Sequence, residues 1–563
     1  MQDISFVIGG QAGDGVMRTA ELLGKTFNRL GLFSFVINDY GSLIRGGHNF
    51  CKVRAASRQV WLHRESVDLI AAINQDTVSK HKNELAEGGG VLFDSDVAKY
   101  EGPQTLLPIP ITTMVKQIGG VPIMKNSVMI GAISYLYGIP LDLVNEILTW
   151  AYGARAGKNI ELAKSGYSHG EKNFKQILKV EQVKRPPTPF ISGAETVALG
   201  AVKAGMKLYI TYPMTPSTAI LNYVGPNQDE LGIVLVHPEN EIGVANMMLG
   251  AAYAGVRTMA GTAGGGFALM QEAFSMAGQA EIPSIFVVGQ RVAPAVGVPT
   301  CTSQADLRFV LHAGHGEFPR IVVAPGDPEE AFVNAGEAVN LAWKYQTPAI
   351  ILVDKHLLES YMSIGIDEGK VKVEPANMAE SSVGEYKRYS FTDSGVSPMA
   401  FPGKLGAIVK VTSYEHDEDG YAIETPDGIE NMQKKRLRKM SLIEQDLKNR
   451  ETVKIHGDSN AGDMVVAWGS TKGAILEAMM LLKQPLKFMQ VLYLNPFPDW
   501  EVSKHLDSAK NVVLVEGNLT GQLGSLIAEH TGHHIKNTVL KNDGRPFDPV
   551  LLAGKLEEAF GWK

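Results

Sequence analysis

Leu208-Tyr-Ile-Thr-Tyr-Pro-Met-Thr-Pro-Ser-Thr218 is the stretch of sequence that decides the fold of this chain. The apolar run from Leu208 to Thr211 predicts a short strand, and the two prolines that follow forbid a helix across the next loop. Thr215 and Ser217 are therefore expected on a stiff loop at the carboxyl end of a strand. That is the edge at which open α/β sheets bind ligands.

A second feature follows at Glu241, which begins a segment rich in Ala, Gly and Met with almost no polar side chain for three turns. A helix of this composition is predicted to be buried, and a buried acid needs a partner. Simpler interpretations are a common Pro-Thr-Pro turn and a Glu that complements the helix dipole. Glu239 is the rival acid and is expected to be solvated.

Composition restricts the class of protein. A chain of 563 residues predicts about three domains at roughly 150 residues each. Its net charge of −7 argues against general nucleic-acid binding. No apolar run reaches the ~18 residues of a membrane span, and the N-terminus begins directly with a strand, so we expect a cytoplasmic protein without membrane association.

The chain contains two cysteines, Cys51 and Cys301. A [4Fe–4S] cluster generally takes four thiolate ligands, so this chain alone is not expected to hold one. Any cluster that serves this protein must lie on another polypeptide.

Strands that alternate with helices after residue 190 predict a parallel, doubly wound sheet. The strands are expected at residues 208–211 and 234–237, in 258–267 with a Gly-rich loop at its end, at 284–291 with a charged tip, in 321–325 and at 349–354, with a helix from Leu269 on. The highly charged segment Asn431–Arg450 predicts a helix that faces solvent or a subunit contact.

Several motifs together resemble the 2-oxoacid:ferredoxin oxidoreductases. Tyr212-Pro-Met-Thr-Pro-Ser-Thr218, followed by Glu241 and by Gly250-Ala-Ala, resembles the thiamine-facing domain of their α subunits. The N-terminal motifs resemble their γ domain; these are Gly9-Gly-Gln-Ala-Gly-Asp-Gly15, Tyr40-Gly-Ser-Leu-Ile-Arg-Gly-Gly47, Val67–Asn74 and Asn126–Gly131. Asn495–Pro498 and Glu516–Gln522 resemble the C-terminal domain of transketolase-like enzymes.

The resemblance implies three α/β domains. Residues 1–182 would be a γ-type domain that covers the active site and is associated with coenzyme A, and residues 190–370 a thiamine pyrimidine-binding-type domain. Residues 371–455 would connect these to a transketolase C-terminal-like domain at 456–563.

The resemblance also implies roles for individual residues. Glu241 would be the catalytic carboxyl that hydrogen-bonds to N1′ of the thiamine aminopyrimidine, and Thr215, Arg291 and Thr300 would bind the 2-oxoacid. The residues expected near the cofactor are Tyr212, Pro213, Ser217, Gly264, Gly265 and Phe267. Those expected in the coenzyme A or cover loops are Gly13, Gly15, Arg45 and His48. No metal site is expected on this chain.

The activity that the resemblance implies is oxidation of 2-oxoglutarate with coenzyme A to succinyl-CoA and CO2, with reduction of ferredoxin. A β subunit would carry Mg²⁺, the pyrophosphate half of the thiamine pyrophosphate site and a [4Fe–4S] cluster, in a dimer of αβ pairs. The segment Val292–Gly297 departs from the family pattern by lacking two hydroxyls, so pyruvate or a branched-chain 2-oxoacid stays open as substrate.

Other interpretations also stay open. Gly13-Asp14-Gly15 with Asn38 imitates a magnesium and thiamine motif, which would make the chain a self-contained thiamine lyase. A non-catalytic scaffold subunit is the third possibility. Glu415–Gly420 imitates a metal cluster but lacks the alternating ligands of a calcium loop, which favours a solvated turn.

Overall fold

A computed structural model describes residues 2–43, 46–380 and 386–562, and within them the strands form three sheets flanked by helices. The chain divides into two units. The first contains the residues up to Ser192 together with Glu359–Ile366, and the second contains Gly193–Leu358 and the residues from Asp367 on. The predicted α/β class is confirmed.

The elements up to Ser192 are strands β1 to β7 and helices α1 to α6. In chain order they are β1 (Asp3–Ala12), α1 (Val16–Arg29), β2 (Phe33–Asp39), β3 (Gly46–Ala56), β4 (Val67–Ala72), α2 (Gln75–His81), β5 (Leu85–Asp94), β6 (Thr105–Ile109), α3 (Ile111–Gln117), α4 (Lys125–Leu136), α5 (Leu141–Tyr152), α6 (Ala156–Asn173) and β7 (Phe190–Ser192).

The elements from Gly193 to Ser363 include the strands expected from the sequence. In chain order they are α7 (Gly193–Lys203), β8 (Leu208–Thr211), α8 (Thr218–Val224), α9 (Gln228–Leu231), β9 (Val234–Val236), α10 (Glu241–Tyr253), β10 (Thr258–Ala263), α11 (Gly264–Leu269), α12 (Gln271–Gln279), β11 (Ser284–Gln290), α13 (Leu307–Leu311), β12 (Ile321–Val323), α14 (Pro328–Tyr345), β13 (Pro348–Asp354), α15 (Lys355–Glu359) and β14 (Tyr361–Ser363).

The remaining elements begin after a long segment with little regular structure. They are α16 (Pro426–Leu447), β15 (Val453–Gly457), β16 (Asp463–Trp468), α17 (Thr471–Met479), β17 (Lys487–Val491), β18 (Tyr493–Asn495), α18 (Asp499–Ser508), β19 (Asn511–Glu516), α19 (Gln522–Thr531), β20 (Asn537–Leu540) and α20 (Pro549–Phe560).

The first sheet has the order β6-β5-β4-β1-β3-β2-β14-β7. Strand β1 lies inside it because its apolar residues are covered on both faces; it pairs parallel with β4 and antiparallel with β3. Strand β14 pairs antiparallel with both β2 and β7, so residues 359–366 belong to this unit although the sequence analysis assigns them to the 190–370 domain. A three-residue strand has no local pattern that would reveal such distant partners.

The second sheet has the order β18-β12-β13-β11-β10-β8-β9 and is parallel except at β18. It carries the predicted site, because the loops after β8, β10 and β11 all leave from its carboxyl edge. Helix α11 begins at Gly264, directly after β10, and not at Leu269 as expected, since the three glycines of this turn adopt helical geometry themselves.

The third sheet has the order β15-β17-β16-β19-β20. Strand β18, which follows β17 along the chain, leaves this sheet and pairs antiparallel with β12 of the second one. A buried ion pair between Lys472 Nζ and Glu330 Oε1, 2.5 Å apart, strengthens the same connection. Among the described residues, no helix is long and apolar enough to cross a lipid bilayer.

Candidate active site

The loop after β8 brings the predicted threonine to the sheet edge. The Thr211 hydroxyl donates to the carbonyl of Gly261 at 2.8 Å, which ties the end of β8 to β10, and the buried Ser217 hydroxyl closes the loop on the Met214 carbonyl at 2.7 Å. Thr215 is half-buried between them and Pro213 is exposed. The other predicted loop residue, Tyr212, packs its ring edge-on against His237 with centroids 5.9 Å apart.

Glu241 is the first residue of α10 and is only 4% exposed. The side chain of Asn240 caps this helix by accepting from the Gly243 N–H at 2.9 Å, so the carboxyl group of Glu241 is not needed as a cap. Its Oε1 atom is buried and has no hydrogen-bond partner among the described residues. A buried oxygen without a partner costs roughly 1–3 kcal/mol, which points to a donor from outside the chain.

The glycines that open α11 make room for acidic side chains. A methyl group placed on Gly266 would lie 2.9 Å from Glu241 Oε1 and would clash with the hydroxyl of Thr262. A methyl group on Gly264 would lie 2.5 Å from Oδ2 of Asp306. Gly265 has more room, since the nearest atom to such a methyl group is the Ala295 carbonyl oxygen at 3.8 Å. The first turn of α11 therefore lies between two carboxyl groups.

Arg291 follows β11 and reaches the Thr215 loop. Its Nη1 donates to the Thr215 carbonyl at 2.7 Å, so the structure brings two of the three predicted substrate residues together. Burial lowers the pKa of the Arg291 guanidinium, and the nearby carboxylate of Asp306 opposes that shift. The third residue, Thr300, is buried on the same loop.

Asp306 is the site residue that sequence reasoning missed. Burial raises the pKa of its carboxyl group to about 6, although the Arg291 charge acts in the opposite direction. The only signal in the sequence is its place, a single acid between the apolar residues Ala305 and Leu307 shortly after the predicted substrate loop.

Phe267 lies beneath α11 and is not exposed. Its ring makes edge-on contacts with Phe274, Phe286 and Phe309 at centroid distances of 5.3, 5.6 and 5.8 Å. This aromatic cluster supports the glycine turn from the core side.

In the first unit, Gly13 and Gly15 both have left-handed backbone conformations, with φ of 95° and 77°. Gly15 caps α1, and a methyl group on Gly13 would meet no atom within 4 Å, so this turn presents bare backbone. The carboxylate of Asp14 accepts from the Gln11 N–H at 2.8 Å and so closes its own turn.

His48 takes part in a chain of hydrogen bonds on β3 and α2. Its Nε2 lies 2.8 Å from Nε2 of His81, whose Nδ1 lies 2.9 Å from Oε1 of Glu84. Burial and the neighbouring His81 lower the pKa of His48 to about 4, so its ring is neutral near pH 7. Arg45, the other predicted residue of this loop, lies outside the described residues.

The acidic stretch that begins at Glu415 forms hydrogen bonds to other segments of the same chain. Glu415 accepts from Arg436 Nη1 at 2.8 Å and from Gln279 Nε2 at 3.2 Å. Within residues 2–43, 46–380 and 386–562, no three His, Cys, Asp or Glu side chains are grouped in a way that could hold a metal ion.

Two protein-family models match the chain. The one described as pyruvate flavodoxin/ferredoxin oxidoreductase, thiamine diP-binding, covers residues 199–435, and the one described as pyruvate ferredoxin/flavodoxin oxidoreductase covers residues 5–169. The 2-oxoacid:ferredoxin oxidoreductase subunit alpha of a Sulfolobus species is 31% identical, over 99% of this chain and 96% of its own length. The chain belongs to this family of alpha subunits.

Other members of the family are similar over different lengths. The subunit alpha of 2-oxoacid:ferredoxin oxidoreductase 1 from Sulfurisphaera tokodaii is 31% identical over 99% of this chain and 97% of its own. The 2-oxoglutarate synthase subunit KorA from Methanothermobacter thermautotrophicus is 30% identical over 59% of this chain and 88% of its own.

A solved structure of the family extends the likeness to the fold. The 2-oxoglutarate:ferredoxin oxidoreductase from Magnetococcus marinus, described with 2-oxoglutarate, coenzyme A and succinyl-CoA bound, superposes with a TM-score of 0.89 at 29% identity. The alignment covers 99% of this chain and all of that one. The predicted family, fold class and oxidoreductase activity are confirmed.

The donor set at the second sheet fits a thiamine-binding domain. The aminopyrimidine of thiamine needs one buried carboxyl group at its N1′, and the unpartnered Oε1 of Glu241 is such a group. Glu241 also lies inside the region that the thiamine-binding family model covers.

Proposed function

We propose that this chain is the catalytic alpha subunit of a coenzyme A-acylating 2-oxoglutarate:ferredoxin oxidoreductase. The observation that carries the proposal is the buried Oε1 atom of Glu241, which has no partner among the described residues. In a scaffold subunit a buried carboxyl oxygen without a donor would only lower the stability of the fold. In a thiamine enzyme the cofactor supplies the missing donor.

Glu241 would hold a proton between its carboxyl group and N1′ of the cofactor. Bound thiamine pyrophosphate would supply the carbon nucleophile that attacks the 2-oxo group and accepts the electrons left by decarboxylation. The carboxyl group lies beside Gly266, where a side chain would come within 2.9 Å of Glu241 Oε1, so the glycine leaves room for it.

Arg291 and Thr215 would bind the carboxylate that leaves as CO2. One N–H of the Arg291 guanidinium is used on the Thr215 carbonyl, and its remaining N–H groups have no partner among the described residues. A guanidinium held in this way can present two parallel donors to a carboxylate. Thr300 would add a hydroxyl from the loop that follows Arg291.

The choice of 2-oxoglutarate rests on relatives. A KorA subunit and the Magnetococcus marinus enzyme are both named for 2-oxoglutarate. The proposed products are succinyl-CoA, CO2 and two reduced ferredoxins, and pyruvate or a branched-chain 2-oxoacid is the alternative substrate. Coenzyme A is assigned to the first unit, where the open backbone turn at Gly13 and Gly15, with His48 and Arg45, would receive it.

A β subunit is needed to complete this site. Ile242, Met247 and Leu269, on α10 and α11, are each more than half exposed, which is unusual for large apolar side chains on helices next to a buried acid. We assign this face to a β subunit that carries Mg²⁺, the cofactor's pyrophosphate and a [4Fe–4S] cluster. The assembly would be a dimer of αβ pairs that reduces ferredoxin.

The test is co-expression of the chain with a candidate β subunit, followed by a screen of 2-oxoacids for ferredoxin reduction that depends on coenzyme A. We expect the highest kcat/KM with 2-oxoglutarate. Faster turnover with pyruvate or a branched-chain acid would make that acid, and not 2-oxoglutarate, the substrate. Tight magnesium-dependent binding of thiamine pyrophosphate by the chain alone would favour a self-contained lyase.

A further inference from the structure

A cavity of about 360 Å³, partly open to solvent, lies at the carboxyl edge of the third sheet. Its wall comes from the loops that follow β16, β19 and β20. Strands β16 and β19 are neighbours, and the chain continues from β16 to β17 on one side and from β19 to β20 on the other. Open α/β sheets bind ligands in the crevice where the strand order reverses in this way. The cavity therefore occupies the place where a ligand of the third sheet is expected.

The segment between Thr302 and Gln304 closes one side of this cavity. The Thr302 N–H donates to the Gly544 carbonyl at 3.1 Å, after β20, and the Gln304 N–H donates to the Gly517 carbonyl at 2.8 Å, after β19. Nε2 of Gln304 donates to the Trp468 carbonyl at 2.8 Å, at the end of β16. The segment is thus fastened to all three loops, and its backbone is held in place on the cavity wall.

Ser303 lies in the middle of that segment and is only 3% exposed. Its Oγ atom is buried and has no hydrogen-bond partner among the described residues. A buried hydroxyl without a partner is destabilising, so its presence on a cavity wall needs an explanation. A ligand in the cavity would supply the acceptor that the chain does not.

Helix α17 begins at the same wall with Thr471. Ser470 is its N-cap residue but does not cap it, because the Ser470 hydroxyl donates to Oδ2 of Asp354 at 2.5 Å. The first N–H groups of a helix have no acceptor within the helix. An uncapped helix start therefore offers donors and a positive dipole end to an anion.

Lys541 and Arg545 add positive charge to the wall. Lys541 Nζ lies 3.0 Å from the exposed carboxylate of Asp543, and Arg545 Nη1 donates to the sulfur of Cys301 at 3.2 Å. The opposing charge behind the helix start is Asp354, and burial raises the pKa of its carboxyl group, which weakens its repulsion of an anion. The cavity as a whole favours a small anion.

Asn542 narrows the choice of anion. Its Oδ1 atom is buried at the cavity wall without a partner among the described residues, so it needs a donor. A phosphate ion has oxygens that accept from the hydroxyl and the helix, and it keeps an O–H group at neutral pH that can donate to the amide oxygen. Sulfate has no such O–H group.

We propose that this cavity is a binding site for a phosphate group. The Ser303 hydroxyl, the first turn of α17 and the Arg545 guanidinium would donate to its oxygens, and Asn542 would accept from its O–H group. The proposed function uses residues of the second sheet and of the first unit only. The phosphate site can therefore fail without affecting the proposed function, and the reverse is also true.

The test is calorimetric titration of inorganic phosphate into the full chain at pH 7 and constant ionic strength. We expect saturable binding and a rise of Tm with phosphate concentration. Ser303→Ala and Arg545→Gln each remove one donor to a charged ligand and should weaken binding by about tenfold or more. Lys555→Gln, on the exposed face of α20, is the matched control and should bind as the wild type does.

Ser303→Ala also distinguishes a ligand site from a structural hydroxyl. Removal of an unpartnered buried hydroxyl should leave Tm without phosphate at or above that of wild type, while the rise of Tm with phosphate becomes smaller. A lower Tm without phosphate together with an unchanged rise would assign the hydroxyl to the fold and overturn the proposal. If a variant does not fold, the wild type decides, since absence of phosphate binding overturns the proposal.

Two further ligands identify the source of the phosphate group. Glycerol 3-phosphate that binds more tightly than inorganic phosphate, and loses affinity in Ser303→Ala, would show that the site takes a phosphate ester. Tighter binding of inorganic phosphate would show that it takes the free ion. Sulfate should bind at least about tenfold more weakly than phosphate. Equal binding of sulfate and phosphate would overturn the assignment to phosphate.

Discussion

Glu241 and Glu281 are two glutamates of the second unit that are almost equally buried, at 4% and 1% exposure. They differ in whether the chain supplies partners for their carboxyl oxygens. Glu281 forms ion pairs with Lys435, at 2.7 Å, and with Lys439, and its backbone carbonyl accepts from Arg388 Nη2 at 2.8 Å. Glu241 has an oxygen atom with no partner in the described part of the chain.

This difference in partners distinguishes a glutamate that stabilises the fold from one that is available to a ligand. A carboxylate that the chain neutralises with its own lysines fastens α16 to the second sheet and needs nothing else. A carboxylate that is buried and left incomplete reduces stability in the free chain, and this cost is recovered when a ligand supplies the missing donor. Substitutions at the two positions should therefore separate activity from stability.

The largest effect is expected for Glu241→Gln. The amide cannot share a proton with N1′, so kcat of the reconstituted complex should fall by about 10²–10⁴-fold, while the thermal midpoint Tm stays close to that of wild type. Steady-state ferredoxin reduction and thermal unfolding give the two readouts. Glu239→Gln, an exposed neighbour, is the control and should retain its activity. Full turnover by Glu241→Gln would remove the proposed catalytic role.

Glu281→Gln should show the reverse pattern. It leaves two buried lysines without a counter-charge, which costs about 3–5 kcal/mol in the free energy of unfolding, whereas turnover per folded complex should be retained. Denaturant and thermal unfolding measure the loss. Glu430→Gln breaks an exposed ion pair on the same helix α16 and should not change Tm. Equal losses in both variants would contradict a structural role for Glu281.

Gly266→Ala tests whether the space beside Glu241 matters. The added methyl group meets Glu241 Oε1 and the Thr262 hydroxyl, so a cost of about 1–3 kcal/mol is expected as weaker activation by thiamine pyrophosphate. Gly157→Ala, in open space on α6, is the control. Wild-type cofactor activation in Gly266→Ala would show that the carboxyl group is free to move.

The smallest effect concerns acid stability. Burial alone would raise the pKa of Glu281, but Lys435, Lys439 and Arg388 hold it below its ordinary value of 4.5. The ion pairs therefore stabilise the fold above about pH 4.5, and this contribution should be lost at up to about 1.4 kcal/mol per pH unit below it. Tm measured from pH 7 to pH 3 should fall less steeply for Glu281→Gln. Identical slopes would count against the ion pairs.

The same two glutamates show what the sequence could and could not reveal. The Pro-containing loop, the strands around it and Glu241 at a helix start follow from local patterns, because proline geometry and apolar runs act over a few residues. The proposed roles of the site residues stay predictions. The charged helix at 431–450 is present and exposes many of its residues, but the sequence analysis missed its buried face, where Lys435 and Lys439 pair with Glu281, about 150 residues away in the sequence.

Asp306 was missed for the same reason. Its importance depends on Gly264 and Arg291, which lie on two other segments, and a single aspartate before a short helix is typical of an ordinary cap. The start of α11 was misplaced because glycines usually indicate a loop, and here the missing side chains serve to admit carboxyl groups.

Strand β18 has a consequence for how this polypeptide can be divided. Because Tyr493–Asn495 covers the outer edge of β12, a shortened protein that stops before β15 would expose an unpaired strand to solvent. Bare edges of this kind recruit other chains, so such a fragment would be prone to self-association. The C-terminal portion therefore protects the edge of the second sheet from aggregation. Its removal should first show itself as poor solubility of the truncated protein, before activity can be measured.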